Sequence, residues 1–415
     1  MASKKKKPTD VDVDTDETAS ADATSVAETI SAAVDDAVPE TTADVISSRI
    51  KPGYDSRSQL GALLSSEIIA ATMKTYGKKS LIQGSEIKAR KVRRIPTGIF
   101  PIDFALEGGW AQGGVHTLIG HKSSCKTTAL YSTFGEAQKM CAECWMYMDR
   151  CICKRPREPV IAYIDVEGAL DAAWASRFCD LDKVLISVPE YAEQTLSIGE
   201  ALLRSGKCDI LAIDSIAFLT PAKEIEEAIE KDLMGQQARV LGKGVRKFTA
   251  ALNSVMTDTG KRPTLFFTNQ IRMKIGVMFG NPETTPGGLA PGFMSWTEMK
   301  MKTGKFKMDE LGERPLYADF GFSLDKSKSS TAKVGYDFRM MLSDSESKSL
   351  GDFYYEDFIL DHAERLGLVS GGGTSWKILG ESFGKKSEIE KRLVADPIFK
   401  RMVTDVLLKS VQQGT

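Results

Sequence analysis

Gly114–Thr128 reads GVHTLIGHKSSCKTT. Its first half is a short apolar run suited to a strand. A polar turn opens at Gly120, and TALYSTFGEAQKM continues as a helix. A strand, a tight turn and a helix in direct succession leave unpaired backbone N–H groups at the helix start, and these attract phosphate oxygens. Lys126 would neutralise β/γ phosphates there, and the Thr127 hydroxyl would bind Mg²⁺. The strict pattern Gly-x-x-x-x-Gly-Lys-Ser/Thr asks for a second glycine, where this chain has Cys125. If that position needs a positive φ, a non-glycine residue costs about 1–2 kcal/mol. If it needs only a small side chain, cysteine is tolerated. Next to a helix N-terminus and Lys126, the Cys125 thiol is expected to have a lowered pKa, to alkylate readily and to be protected by Mg-ATP.

Outward from the loop, apolar β-rich runs recur: VIAYIDVE, KVLISV, CDILAIDSIAFL and PTLFFTNQI. Helical stretches separate them, among them 192–205 and 234–254. Apolar strands alternating with helices predict a parallel, doubly wound α/β sheet covered on both faces. Strands of such a sheet end on one edge, where ligands bind. Asp214 ends one run, as a carboxylate that holds Mg²⁺ through water does. Glu167 ends another, placed to polarise a water attacking the γ-phosphate. Asn269 and Gln270 end a third, placed to sense that phosphate.

The 415-residue chain carries a formal net charge of −1. Residues 1–48 hold four lysines against eleven Asp or Glu, a net of −7, which leaves +6 for the remainder. That segment has no aromatic residue, and its composition predicts a disordered acidic leader over 1–53. Residues 54–90 read as a short N-terminal helical oligomerisation segment, 91–345 as the ATPase core and 346–415 as a small C-terminal α+β domain with a glycine-rich turn at 371–373. No apolar run approaches the roughly 20 residues that span a bilayer. No secretory signal is visible, so a cytoplasmic location and reduced cysteines are expected.

At these residues the chain resembles the RecA recombinase family. NQIRMKIGVMFGNPETTPGG, from Asn269 to Gly288, carries the resemblance furthest; LTPAKEIEEAIEKDLMGQQAR, GHKSSCKTT, YIDVEGALDAAWASRF and IDSIAFLTP add to it. The resemblance spans roughly 55–400, more weakly past 300. It implies an ATP-binding core, an ATPase that uses Mg²⁺ and a homo-oligomeric filament on single-stranded DNA that pairs it with homologous duplex, aided by single-strand-binding or mediator proteins. ATP contacts are implied for Gly120, His121, Lys122, Ser123, Ser124, Cys125, Lys126, Thr127 and Thr128. Asp171 and Trp174 would flank adenine, Asp214 would serve the metal, and Lys326 and Lys328 would reach a neighbouring subunit's ATP. Glu167 would activate water, and Gln270 would couple the γ-phosphate to DNA. Two loops would bind DNA. Around the first lie Met234, Gly235, Arg239 and Arg246. The second contains Arg272, Met273, Lys274, Ile275, Gly276, Val277, Met278, Phe279, Gly280, Asn281, Gly287 and Gly288. Its mixture of cations and apolar residues suits phosphate neutralisation and insertion between bases. A partner-docking loop is the other reading of the same composition. The chain departs from the family at Cys125, a departure similar to that of phage members, and after Gly288, where Leu289–Gly292 replace a polar continuation. A hexameric helicase motor and a non-catalytic DNA-binding filament are the rival functions on this core.

Between the phosphate-loop helix and the next strand lies CAECWMYMDRCICKRP, within an apparent insertion at 141–157. Cys141, Cys144, Cys151 and Cys153 give C-x₂-C-x₆-C-x-C. Four thiols so close in an unexported chain point to structural Zn²⁺; unliganded thiols and a redox pair are the alternatives.

Overall fold

The computed structural model describes residues 66–75, 81, 92–227, 235–273 and 282–413. The leader expected over 1–53 lies outside the described residues. The chain divides into two units, 1–90 and 91–415. In the first, residues 66–75 form a helix, in which the Thr75 hydroxyl donates to the Ala71 carbonyl at 3.2 Å.

The second unit is built on a nine-stranded sheet. In chain order its strands are β1 (Val115–Gly120), β2 (Ile161–Asp165), β3 (Val184–Ser187), β4 (Ile210–Asp214), β5 (Thr264–Gln270), β6 (Thr297–Met308), β7 (Pro315–Ser327), β8 (Gly335–Met341) and β9 (Phe353–Tyr354). They are ordered β9-β8-β7-β6-β1-β5-β4-β2-β3 across the sheet. The six from β6 to β3 run parallel, and β7, β8 and β9 extend the β6 edge as an antiparallel meander. The expected mostly parallel α/β sheet is thus observed.

Two-residue periodicity divides the core. Ile161, Tyr163, Ile210, Ala212 and Phe266 face one side, against Ala129, Leu130 and Phe134 of the helix Lys126–Gln138. Ala162, Ile164, Leu211, Ile213, Leu265 and Phe267 face the other, against Leu196 and Phe248 of the helices Ala192–Arg204 and Gln236–Thr259. Strands covered on both faces cannot alternate in polarity, and so β2 and β4 are wholly buried. The two helices on that second face approach closely at Gly244, where a Cβ would lie 2.5 Å from Leu196 Cδ2.

The expected α+β character of the C-terminal region is present. Helices Glu356–Arg365, Lys386–Ala395 and Pro397–Gln413 accompany a three-stranded antiparallel sheet over Val369–Phe383. Its core takes in Phe100 and Phe104 from the short helix Phe100–Ala105. Glu356, fully buried there, is held by Lys348 at 2.9 Å and Lys400 at 2.6 Å.

Candidate functional site

The phosphate loop sits between β1 and the helix Lys126–Gln138, at the edge where β4 and β5 also end. Cys125 is that helix's N-cap, with φ 66° and ψ 15°. The position therefore needs the left-handed geometry that glycine adopts without strain. Ser123, at φ 59°, is left-handed as well. The expected lowering of the Cys125 pKa is overturned. Burial dominates and pushes the thiol up to about 12, although Thr128 and Lys126 pull it down. Its side chain packs into the core cluster under the loop.

Lys126 folds back over the loop. Its Nζ donates to the His121 carbonyl at 2.7 Å and the Gly120 carbonyl at 3.2 Å, and burial holds its pKa below the usual value. Ser124 closes the turn by donating to the His121 carbonyl at 2.8 Å. Thr127 donates to Asp214 Oδ2 at 2.6 Å, bringing together the two groups expected to serve Mg²⁺. The buried Asp214 carboxylate also accepts from Tyr163 at 3.1 Å and from the Thr268 hydroxyl. Hard oxygen donors in a buried niche beside a lysine fit a magnesium-bound phosphate.

Glu167 lies just beyond β2, on the solvent side. Gln270 Nε2 donates to its Oε1 at 3.1 Å, joining two residues 103 positions apart. Burial, and then the Asp214 charge, raise the Glu167 pKa. Asn269 has a different place from the one expected. It is buried, its amide donates to the Pro286 carbonyl at 3.1 Å and its carbonyl accepts from Gln270 N, so it anchors the second loop.

That loop is rooted in a two-stranded ribbon, with Arg272 opposite Thr284 and Met273 opposite Glu283. Arg272 and Met273 are exposed, and Gly287 and Gly288 turn the chain back at positive φ. Residues 274–281 and Met234 lie outside the described residues. Gly235 caps the helix Gln236–Thr259, on which Arg239 and Arg246 are exposed. Asp171 caps a short helix by accepting from Trp174 N at 3.0 Å, while Trp174 Nε1 donates to Thr128 Oγ1 at 3.2 Å. The indole thus abuts the phosphate-loop helix. Lys326 donates to the Gly292 carbonyl at 2.7 Å, and Lys328 is exposed.

The sulfurs of Cys141, Cys144, Cys151 and Cys153 all lie within 4.8 Å of one another. Burial pushes the Cys141 thiol up, but backbone N–H groups of Glu143, Arg157 and Cys144 outweigh it and bring it to about 6.

Residues 64–313 match the family described as RecA N-terminal domain. Protein RecA of Thermotoga petrophila is 33% identical over 342 residues, covering 77% of this chain and 87% of that protein. The chain belongs to the RecA family. Protein RecA of Fusobacterium nucleatum is 32% identical over 351 residues, covering 84% of each chain. Protein RecA of Thermotoga maritima is 40% identical over 233 residues, which is 55% of this chain and 59% of that protein.

Three contributors to this RecA-family site, Tyr163, Thr268 and Glu283, are not singled out by the sequence. Tyr163 and Thr268 reach Asp214 from neighbouring strands, and only strand order brings them there. His121 Nε2 lies 3.7 Å from Glu283, which also bonds Lys300. Among the described residues, no helix is long and apolar enough to cross a membrane.

Proposed function

We propose that this RecA-family protein is a DNA-dependent ATPase that polymerises on single-stranded DNA and pairs it with homologous duplex. The observation that carries this reading is the Gln270–Glu167 contact. It joins a carboxylate beside the phosphate loop to the residue from which the second loop departs. Lys126, held over the loop by carbonyls it can exchange for phosphate oxygens, binds the triphosphate. Thr127 and Asp214 would hold Mg²⁺, which when bound would neutralise charge on the phosphates. Glu167 accepts a proton from the attacking water, and its raised pKa strengthens it as a base. The products are ADP and inorganic phosphate. Gln270 moves with Glu167, so the state of the γ-phosphate is felt at the base of the ribbon. Arg272, Lys274 and the apolar residues to Phe279 grip the strand, and Arg239 and Arg246 add phosphate contacts.

In this reading residues 54–90 serve subunit assembly, 91–345 form the ATPase core and 346–415 the C-terminal domain. Lys326 and Lys328 complete the neighbouring subunit's ATP site. A zinc ion on the four cysteines joins ATP and magnesium as a structural cofactor.

Electron microscopy with single-stranded DNA and a non-hydrolysable ATP analogue, run beside ATPase and strand-exchange assays, tests the reading. Nucleotide-dependent filaments, DNA-stimulated hydrolysis and pairing are expected. Unwinding without pairing would establish the helicase reading instead, and DNA coating without turnover the scaffold.

A further inference from the structure

The cysteine insertion touches more than its own surface. The segment between Cys144 and Cys151 carries Tyr147, Asp149 and Arg150, and all three meet the helix Pro397–Gln413. Arg150 pairs with Asp405 at 3.3 Å, and Arg401 pairs with Asp149 at 3.5 Å. The Arg401 guanidinium also lies over the Tyr147 ring at 5.2 Å. The other side of the segment is fixed to the ATPase core. Tyr147 donates to Glu136 Oε2 at 2.6 Å, Met148 N donates to the Lys139 carbonyl at 2.9 Å, and Trp145 is buried. The second flank is held by Arg157, which grips Asp209 through two bonds of 2.6 and 2.8 Å.

Exposed ion pairs of this kind are individually weak, so the grip on the C-terminal helix depends on how firmly the segment itself is held. The four sulfurs stand at the base of the segment, where a shared ion would close it. Cys144 Sγ and Cys151 Sγ stand 3.6 Å apart. Edges of a zinc tetrathiolate tetrahedron, with Zn–S near 2.3 Å, measure about 3.8 Å. The Cys141–Cys144 turn has the compact form of a metal knuckle: Trp145 N donates to the Cys141 carbonyl at 2.7 Å, and Cys141 N donates to the Met146 carbonyl at 2.8 Å. Four soft thiolates gathered this closely select zinc over hard cations.

We infer that Cys141, Cys144, Cys151 and Cys153 bind one zinc ion whose task is to close the base of the segment 145–150, so that this segment clamps the C-terminal helix to the ATPase core. The inference rests on the zinc assignment and is independent of ATP hydrolysis. Zinc loss frees residues 145–150 first and the helix Pro397–Gln413 with them, while the phosphate-loop helix keeps its packing against the sheet.

Full-length protein, purified reduced and without chelator, is assayed for metal and followed by hydrogen exchange before and after zinc removal with a mercurial and chelator. About one zinc per chain is expected, with exchange in 397–413 accelerated roughly tenfold on removal and the helix 126–138 unchanged. The variant Arg150→Ala with Arg401→Ala leaves every ligand in place. It should keep its zinc and still show the faster exchange in 397–413. Substoichiometric zinc, or iron in its place, overturns the site. Stoichiometric zinc whose removal leaves 397–413 protected overturns the clamp alone.

Discussion

Cys125 tests whether a reactive-looking position is governed by its charged neighbours or by its burial. A thiol beside a lysine at a helix N-terminus ordinarily becomes a better nucleophile. Here the sulfur points into the core, and its pKa rises from 9.0 to about 12. At pH 8 its thiolate is therefore scarcer by about a thousandfold than that of an ordinary thiol, before steric exclusion is counted. Iodoacetamide labelling of the folded protein, read at Cys125 by mass spectrometry and referred to N-acetylcysteine, should show a rate roughly 30- to 60-fold lower from the pKa, because a more basic thiolate is also more nucleophilic, and lower again from steric exclusion. The rate should climb about tenfold per pH unit up to pH 9.5, where an exposed thiol already levels off. ATP should change it little, because the fold and not the nucleotide provides the shield. Labelling within tenfold of N-acetylcysteine, or a plateau by pH 9, would refute the burial of the sulfur.

Other substitutions probe the site and its frame. Glu167→Gln should lower kcat for ATP about 10²-fold or more while nucleotide binding persists, as steady-state ATPase and a fluorescent-nucleotide titration would show. Asp214→Ala strands the hydroxyls of Thr127, Tyr163 and Thr268; it should cost about 2 kcal/mol in urea unfolding and weaken magnesium-dependent nucleotide binding. Asp103 is buried, accepts from Thr97 N at 2.7 Å, and burial raises its pKa to about 7. Its folded pKa thus exceeds its unfolded one, so its contribution is complete below about pH 4 and is lost as pH rises to 7, with a ceiling of roughly 4 kcal/mol. Asp103→Asn should flatten that decline in urea unfolding between pH 4.5 and 7.5, and an unchanged slope would exclude Asp103 as its source.

The sheet is legible in the sequence because β2, β4 and β5 are apolar runs that end in polar residues, a pattern dictated by burial on both faces. Asp214, Glu167 and Gln270 were accessible for the same reason, since each terminates such a run. The sequence pattern predicts the long helix over 234–254, whereas it spans Gln236–Thr259 between two left-handed glycines, Gly235 and Gly260. Those glycines are its true boundary signals, outweighing the polar residues near its end. What pairing alone decides stayed hidden. Thr268 and Tyr163 bond Asp214 because β4 lies between β5 and β2, an order no local pattern encodes. The Cys125 pKa was misjudged because spacing along the chain reveals a neighbouring charge but not the direction in which a side chain points.

The ribbon of the second loop is pinned at both ends, and this gives its link to nucleotide a testable form. On the outgoing side Gln270 bonds Glu167, and Asn269 holds Pro286. On the returning side the Glu283 carboxylate bonds Lys300 and faces His121 of the phosphate loop at 3.7 Å. Lys300 stands in β6 directly beside Ile119 of β1, next to the loop's first residue. In the proposed reading a shift in the phosphate loop would reach the ribbon by two routes, one through Glu167 and one that bypasses it. Glu283→Gln removes the charge on the second route and preserves the shape. Partly exposed ion pairs contribute about 0.2–1 kcal/mol, so DNA-free hydrolysis and nucleotide affinity should hold within about threefold. Stimulation by single-stranded DNA should drop by roughly three- to tenfold, the loss of about 1 kcal/mol of coupling between the sites. Parallel ATPase titrations with and without oligonucleotide separate the cases. Equal losses in both would place Glu283 in the hydrolytic machinery itself, and an unaltered stimulation ratio would rule out the route through Glu283.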